Sequence, residues 1–259
     1  MGTTKLKLGF YGVTGCAGCQ LSVIFQDNDI LDIASLVDIQ AWPFIKDSND
    51  GNGLDYTFVE GLVANNDDKE VLLGLRKKTK FLVALGACAH TGCIPAYRQF
   101  TLKKNYTHLL YQKLKRIRDT KPSPLSDFVK VDFTIPGCPP SKKEILEFVK
   151  TIAAGRKPHF PNRPVCFECR QNQSTCLLDL KKPCLGPITR GGCGAVCPAG
   201  GFECWGCRGP TDDANIKSMV DILRKHGHKK KFIKDRLVTF SGAKTPAVKR
   251  FVYGKNNKD

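Results

Sequence analysis

Thirteen cysteines in a chain of 259 residues are the feature of this sequence most able to do chemistry, because that density is unusual for any class of globular protein. Cys16 and Cys19 lie in the glycine-rich stretch "GFYGVTGCAGCQLSVI", between an alternating apolar run and a helical pattern. A turn in this position usually holds a phosphate at a helix N-terminus. This one has neither the lysine of a phosphate-binding loop nor the glycine spacing of a dinucleotide-binding loop.

The cellular context decides whether so many thiols form disulfides or bind metal. The sequence has no secretory pattern, no twin-arginine pair and no apolar run long enough to span a membrane. We therefore expect a cytoplasmic chain that does not contact a membrane. Disulfides are rare in a reducing compartment, so cysteines at this density indicate metal ligands.

The elements that must position these thiols alternate over the first 155 residues in the manner of an α/β protein. Hydrophobic patterning predicts strands over 5–11, 37–42, 55–60, 81–85 and 129–134. It predicts helices over 17–30, 67–78, about 89–101, and 141–154. The alternation predicts a parallel sheet with helices on both of its faces.

Four cysteines follow strand candidates directly. Cys16 and Cys19 follow the first strand, Cys88 the fourth and Cys138 the fifth. Because parallel sheets bind ligands beyond the carboxyl ends of their strands, we expect these four thiols to meet at one edge. The group bound there is predicted to be an inorganic cluster, whose sulfurs accept backbone N–H bonds as phosphate oxygens would.

Near residues 155–160 the composition changes, which predicts a domain boundary between 1–155 and 156–259. Eight cysteines then fall within 42 residues: Cys166, Cys169, Cys176, Cys184, Cys193, Cys197, Cys204 and Cys207. Apolar side chains are scarce among them, so we expect bound metal to hold this segment together. Zinc is a rival to iron–sulfur clusters, although glycine and proline beside the thiols favour clusters by letting backbone N–H groups approach sulfides.

Several motifs resemble those of the small subunit of [NiFe] hydrogenases, over essentially the whole chain to about residue 210. They are "GCAGCQ", "GACAHTG", "IPGCPP" and "CLGPITRGGC". The resemblance implies a flavodoxin-like parallel-sheet domain followed by a small cysteine-rich, ferredoxin-like iron–sulfur domain. It also implies three [4Fe–4S] clusters that relay electrons between a nickel–iron large subunit and a redox partner.

The resemblance assigns twelve thiols to these clusters. The proximal cluster takes Cys16, Cys19, Cys88 and Cys138, the distal cluster takes Cys166, Cys169, Cys176 and Cys184, and the medial cluster takes Cys193, Cys197, Cys204 and Cys207. In membrane-bound relatives a histidine stands where this chain has Cys166, and the medial site has three cysteines, so Cys197 adds a fourth. These departures indicate the cytosolic, multi-subunit branch, which exchanges electrons with nicotinamide, deazaflavin or heterodisulfide-reductase modules.

No acid–base pair or nucleophile constellation is present in the sequence, and so we expect a non-catalytic, electron-transfer subunit of an oxidoreductase. Its expected partners are the large subunit and a flavin or iron–sulfur electron-transfer subunit. One alternative is the cluster-bearing subunit of a quinone-oxidoreductase-like complex, which normally has a tandem Cys-Cys and lacks the cysteine-rich segment. Another is a zinc-binding protein associated with nucleic acid, although no nucleic-acid-binding motif is recognisable.

The chain is strongly basic, with a formal charge of +17 that three thiolate-bound clusters would bring to about +11. An acidic protein partner is the favoured explanation. A helix is predicted to begin near Asp212 or Asp213 and to end at Gly227. Residues 228–259 are mixed and only weakly strand-like, and are expected to form either a solvated tail or an arm that docks on another subunit. Eight apolar residues favour docking: Phe232, Ile233, Leu237, Val238, Phe240, Val248, Phe251 and Val252.

Four other residues have two interpretations each. Cys93 is either a packed residue or a ligand, and His90 either donates to a cluster sulfur or has an ordinary structural role. Glu60 ends the third strand and either tunes the proximal cluster or relays protons, or has a helix-capping or structural role. Trp205 either shields the medial cluster from water, which is the favoured interpretation, or carries charge.

Overall fold

The fold is built on a parallel sheet that follows the predicted order of elements. The computed structural model describes residues 5–25, 29–96, 121–160, 162–242 and 245–253. The strands are β1 (Lys7–Gly12), β2 (Asp38–Ala41), β3 (Leu54–Glu60), β4 (Thr79–Leu85) and β5 (Phe133–Ile135). They pair in parallel in the order β2-β1-β3-β4-β5, which is the flavodoxin-like order. The predicted α/β class is therefore confirmed.

Helices cover both faces of this sheet and differ from the sequence predictions mainly at their ends. They are α1 (Gly18–Ile24), α2 (Asp29–Leu36), α3 (Asn66–Lys78), α4 (Gly86–Thr91), α5 (Cys93–Ala96) and α6 (Lys142–Ala153). The predictions over 67–78 and 141–154 are confirmed as α3 and α6. Asn65 begins α3 through a reciprocal capping box with Asp68, which satisfies two backbone N–H groups.

Two of the predicted helices were wrong in extent. In place of the single helix over 17–30, α1 ends at Ile24 with Phe25 as its C-cap and α2 begins at Asp29; residues 26–28 lie outside the described residues. The helix over 89–101 begins earlier, at Gly86, and is interrupted at Gly92, whose φ of 84° is left-handed. The part of that prediction beyond residue 96 lies outside the described residues.

The cysteine-rich segment is short of regular structure but is packed against helices of the same chain. It contains α7 (Val165–Gln171) and α8 (Val196–Ala199), and is followed by α9 (Ile216–Lys225), α10 (Lys230–Ser241) and α11 (Pro246–Tyr253). The expected scarcity of an independent core in this segment is offset by packing against later helices, while the contribution of bound metal stays a prediction. Leu185 and Ile188 pack in one buried cluster with Met219 and Leu223 of α9 and with Leu237 of α10.

The predictions for the C-terminal residues were also wrong in the described part. Residues 230–241 and 246–253 are helices rather than weak strands, and Ile233, Leu237, Val238 and Val248 are buried within this chain. These buried side chains recur at helical spacing. The β-branched and aromatic residues between them are common in strands, which is why the sequence pattern suggested weak strands. Most of the apolar surface that favoured a docking arm is therefore used within the chain.

Among the described residues, no helix is long and apolar enough to cross a lipid bilayer.

Candidate metal centres

The four cysteines that follow strands lie together at the carboxyl edge of the sheet. Cys16 and Cys19 lie at the start of α1, Cys88 is in α4 just after β4, and Cys138 follows β5. Burial raises the pKa of the Cys19 thiol most, and Glu60, Cys88, Cys138 and Cys16 raise it further by their negative charge. Because Cys16, Cys88 and Cys138 each raise the pKa of Cys19, these four cysteines lie near one another.

Glycine backbone makes this close approach of thiols possible. Gly86 has a φ of 88°, and a Cβ atom there would lie 2.2 Å from the Sγ of Cys19. Gly137 has a φ of 134°, and a Cβ atom there would lie 2.7 Å from the carbonyl oxygen of Pro139. Both positions therefore require glycine, which explains "LGAC" and "PGC" in physical terms.

Glu60 acts on α1, the helix that carries Cys19 and begins two residues after Cys16. Its buried carboxylate accepts backbone N–H bonds from Cys19, at 3.3 Å, and from Gln20, at 3.0 Å. A carboxylate at a helix N-terminus satisfies orphan donors and complements the helix dipole. The helix-capping interpretation of Glu60 is thereby confirmed.

Cys93 is a buried neighbour of the same set. Its thiol is hydrogen-bonded to the thiols of Cys138 and Cys88, and these bonds together with burial raise its pKa. The bond from Cys93 lowers the pKa of Cys138 to about 7. Cys93 thus packs against two of the predicted ligands. His90 lies beside Gly209, where an added Cβ atom would be 3.0 Å from its Nε2.

The second set of thiols surrounds α7. Cys166 and Cys169 lie on this helix, and burial followed by the charges of Cys184, Cys169 and Cys176 raises the pKa of Cys166 to about 11. A Cβ atom at Gly186 would lie 3.1 Å from the Sγ of Cys166. The structure therefore brings together all four residues predicted for the distal site.

The third set, like the second, has one buried, two half-buried and one exposed thiol. Burial raises the pKa of Cys207 to about 11, and Cys193 and Cys138 raise it as well. Burial also raises the pKa of Cys204 to about 12, with Cys184 and Cys207 among its charged neighbours. Burial raises the pKa of Cys193, and the negative charge of the exposed Cys197 raises it as well. The third set thus lies between the other two.

Backbone N–H groups point at several of these sulfurs. The N–H of Cys204 donates to the Sγ of Cys184 at 3.4 Å. The Sγ of Cys193 accepts from Ala195, and that of Cys207 accepts from Cys138. An all-thiolate donor set with N–H bonds to sulfur fits iron–sulfur clusters. Within the described ranges, no three His, Cys, Asp or Glu side chains are arranged around a single metal ion.

Two carboxylates that the sequence analysis did not single out support these loops. Glu168, between Cys166 and Cys169, accepts from the N–H groups of Gly192 and Ala195, and its Oε2 is 4.0 Å from the Sγ of Cys193. It thus connects the helix of the second set to the loop of the third. Its position inside "CFEC" is the only sequence signal for this role.

Glu144 on α6, which is half-buried, forms an ion pair with the buried Arg208. The Nη1 and Nη2 atoms of Arg208 are each 2.6 Å from a carboxylate oxygen of Glu144. Nη1 also donates to the carbonyl of Pro136, and Nε donates to that of Gly191 at 2.8 Å. Arg208 therefore connects the sheet domain to the cysteine-rich segment.

The flavodoxin-like sheet, the four thiols at its carboxyl edge and the eight in the adjoining segment define an α/β protein with three sets of candidate metal ligands. The family model for the 20 kDa subunit of NADH ubiquinone oxidoreductase matches residues 16–152. This chain belongs to that family, and within it to the hydrogenase small subunits, which are electron-transfer rather than catalytic subunits.

Curated relatives place the chain on the hydrogenase side of that family. It is 36% identical over 221 residues to sulfhydrogenase 2 subunit delta of Pyrococcus furiosus, covering 85% of this chain and 93% of the relative. It is 32% identical to a subunit of the F420-non-reducing hydrogenase of Methanocaldococcus jannaschii, covering 81% of this chain and 84% of that relative. The predicted membership of the hydrogenase small subunits is confirmed.

Solved structures agree with this placement. A subunit of an NAD⁺-reducing [NiFe]-hydrogenase is 29% identical, with a TM-score of 0.53, and the match covers 61% of this chain and 96% of that one. The [NiFeSe] hydrogenase of Desulfovibrio vulgaris Hildenborough matches at 18% identity with a TM-score of 0.54, covering 82% and 95%. At that identity the second match bears on the fold alone.

Proposed function

We propose that this chain relays electrons through three [4Fe–4S] clusters between the nickel–iron site of a large subunit and a flavin or iron–sulfur subunit. The observation that carries the proposal is the continuous order of the three thiol sets. Cys207 of the third set accepts the N–H of Cys138 in the sheet-edge set. On the other side, Cys204 donates its N–H to Cys184 of the second set.

The residues have distinct parts in this proposal. The cysteines at the sheet edge would hold the proximal cluster. The cysteines from Cys193 to Cys207 would hold the medial cluster, and the cysteines from Cys166 to Cys184 would hold the distal cluster. When bound, each cluster would carry one electron at a time. Glu60, Gly86 and Gly137 orient the proximal thiols, whereas Glu168 and Arg208 hold the loops around the other sets. In this proposal the sheet domain spans residues 1–155 and the cluster domain spans 156–259.

All three thiol sets have an exposed member: Cys16 and Cys138 at the sheet edge, Cys176 in the second set and Cys197 in the third. Oxidation-sensitive ligands of this kind need cover from another protein surface. We assign the sheet edge to the large subunit and the Cys176 side to a redox subunit of the cytoplasmic complex.

Metal analysis of the anaerobically purified complex tests this proposal. Three cubane clusters predict about twelve irons per copy of this chain, and the large subunit predicts co-purifying nickel. A chain that purifies as a stable monomer without nickel would contradict the assigned partner. A content of about four irons per chain would support a cluster at the sheet edge only. Zinc in place of iron would support the zinc alternative.

Single cysteine variants test the assignment of ligands. We expect Cys204→Ala to remove about four irons per chain, because a cubane cluster with three thiolates and a buried fourth position is readily lost. Cys93→Ala is the matched control, since Cys93 is equally buried but lies outside the twelve assigned ligands. Iron analysis and visible absorbance of both variants give the result. A loss of iron in Cys93→Ala would show that the ligand set is wrong at the sheet edge.

A further inference from the structure

Arg236 is a buried cation on α10, the helix that the sequence analysis treated as part of a basic tail. Only 3% of the residue is exposed. Its Cζ lies 3.4 Å from the centroid of the Trp205 ring. Its Nη2 donates to the carbonyl oxygen of Cys204 at 3.3 Å and lies 3.8 Å from Oε2 of Glu203. The guanidinium is therefore fixed over the turn that carries Cys204.

The charge of Arg236 acts on thiols of two sets. The guanidinium of Arg236 is a charged neighbour of the Cys184 thiol in the second set and of the Cys204 thiol in the third. Since the N–H of Cys204 donates to the Sγ of Cys184, Arg236 lies where the second and third sets meet.

One donor of this side chain lacks an acceptor. Within the described part of the chain, Nε of Arg236 is buried and has no hydrogen-bond partner. Buried donors are nearly always paired, so an orphan beside two predicted ligands points to an acceptor that the polypeptide itself does not supply. A sulfur atom of a cluster held by Cys184 would supply it.

We propose that Arg236 sets the reduction potential of the cluster held by Cys184, through its charge and its free Nε–H. This inference rests on the proposed function. The reaction adds one electron to that cluster and forms or breaks no bond. Because reduction makes the cluster more negative, a fixed positive charge beside it stabilises the reduced form and raises the potential.

The test is a redox titration of the anaerobic hydrogenase complex, followed by electron paramagnetic resonance. Arg236→Gln is expected to lower the potential of one cluster so that its reduced-to-oxidised ratio falls at least tenfold, equivalent to about 59 mV for one electron. Arg236→Lys retains the charge and should restore most of the potential. Arg224→Gln is the matched control, because Arg224 is half-exposed, pairs with Asp221 and also lies over an aromatic ring.

Glu203→Gln provides a second test that leaves Arg236 in place. Removing the carboxylate that partly neutralises the guanidinium should shift the same potential upward, opposite in sign to Arg236→Gln. If Arg236→Gln does not accumulate, this upward shift decides the matter. Unchanged potentials in an iron-replete complex would overturn the role of Arg236 alone, whereas a wild-type complex without iron would overturn the proposed function.

Discussion

Replacing Arg208 with methionine is expected to lower the free energy of unfolding by about 3–5 kcal/mol, the range found when one partner of a buried ion pair is removed. Arg208 is only 1% exposed and makes a two-pronged contact with Glu144. Burial raises the pKa of Glu144 although Arg208 opposes this. The variant would therefore leave a poorly solvated carboxylate, together with the unpaired carbonyls of Pro136 and Gly191.

The local backbone is built around this contact. Gly192 has a φ of 115°, and a Cβ atom there would lie 2.1 Å from Oε1 of Glu144 and 2.3 Å from Nη2 of Arg208. Because Arg208 directly follows Cys207 and Pro136 precedes Cys138 by two residues, the contact also positions two predicted ligands. We expect electron transfer from the large subunit to slow in Arg208→Met even where the protein is folded.

Denaturation of the anaerobic complex by guanidinium, followed by visible absorbance, measures the effect. Arg190→Met is the matched control, since Arg190 pairs with Asp212, which is 76% exposed, and such pairs contribute below about 1 kcal/mol. A second variant that also replaces Glu144 with leucine should recover much of the loss, because it removes the unpaired charge. Equal midpoints for Arg208→Met and Arg190→Met would contradict the role of the buried pair.

The sheet and its edge could be predicted from sequence because local patterning and a general rule of parallel sheets suffice. Each of the five strands follows from an apolar run, and Cys88 and Cys138 come directly after such runs. The carboxyl ends of parallel strands must then meet, whatever the loop lengths between them. The residue-level prediction of which thiols lie near one another required no knowledge of side-chain packing.

The supporting residues could not be predicted because their roles depend on contacts between distant segments. Arg236 is one of many basic residues after residue 213, and nothing local distinguishes it from the exposed ones. Arg208 contacts Glu144 across 64 positions of sequence. The position of Arg208 in "GCRGP", between the predicted ligand Cys207 and a turn, was the only sequence signal for its role. Burial of a charge is decided by tertiary structure, which composition and periodicity do not contain.

Deleting residues 230–259 is expected to damage the cluster domain and to lower the iron content by at least four atoms per chain. The deletion removes Ile233, Leu237 and Val238, which are buried against α9 and against Leu185, the neighbour of Cys184. It also removes Arg236 from the junction of two thiol sets. Loss of this core should release the ligands of the second set first, since Cys184 lies in the turn that the core supports.

A milder pair of variants separates packing from docking. Leu237→Ala should cost about 2–5 kcal/mol of unfolding free energy, because it opens a cavity in the buried cluster of α9 and α10. Phe232→Ala is the matched control on the same helix, since Phe232 is 42% exposed. Denaturation midpoints and iron content are measured for both. If the deletion keeps about twelve irons and only weakens subunit association at high salt, then these helices serve as a docking arm and their packing within this chain is dispensable.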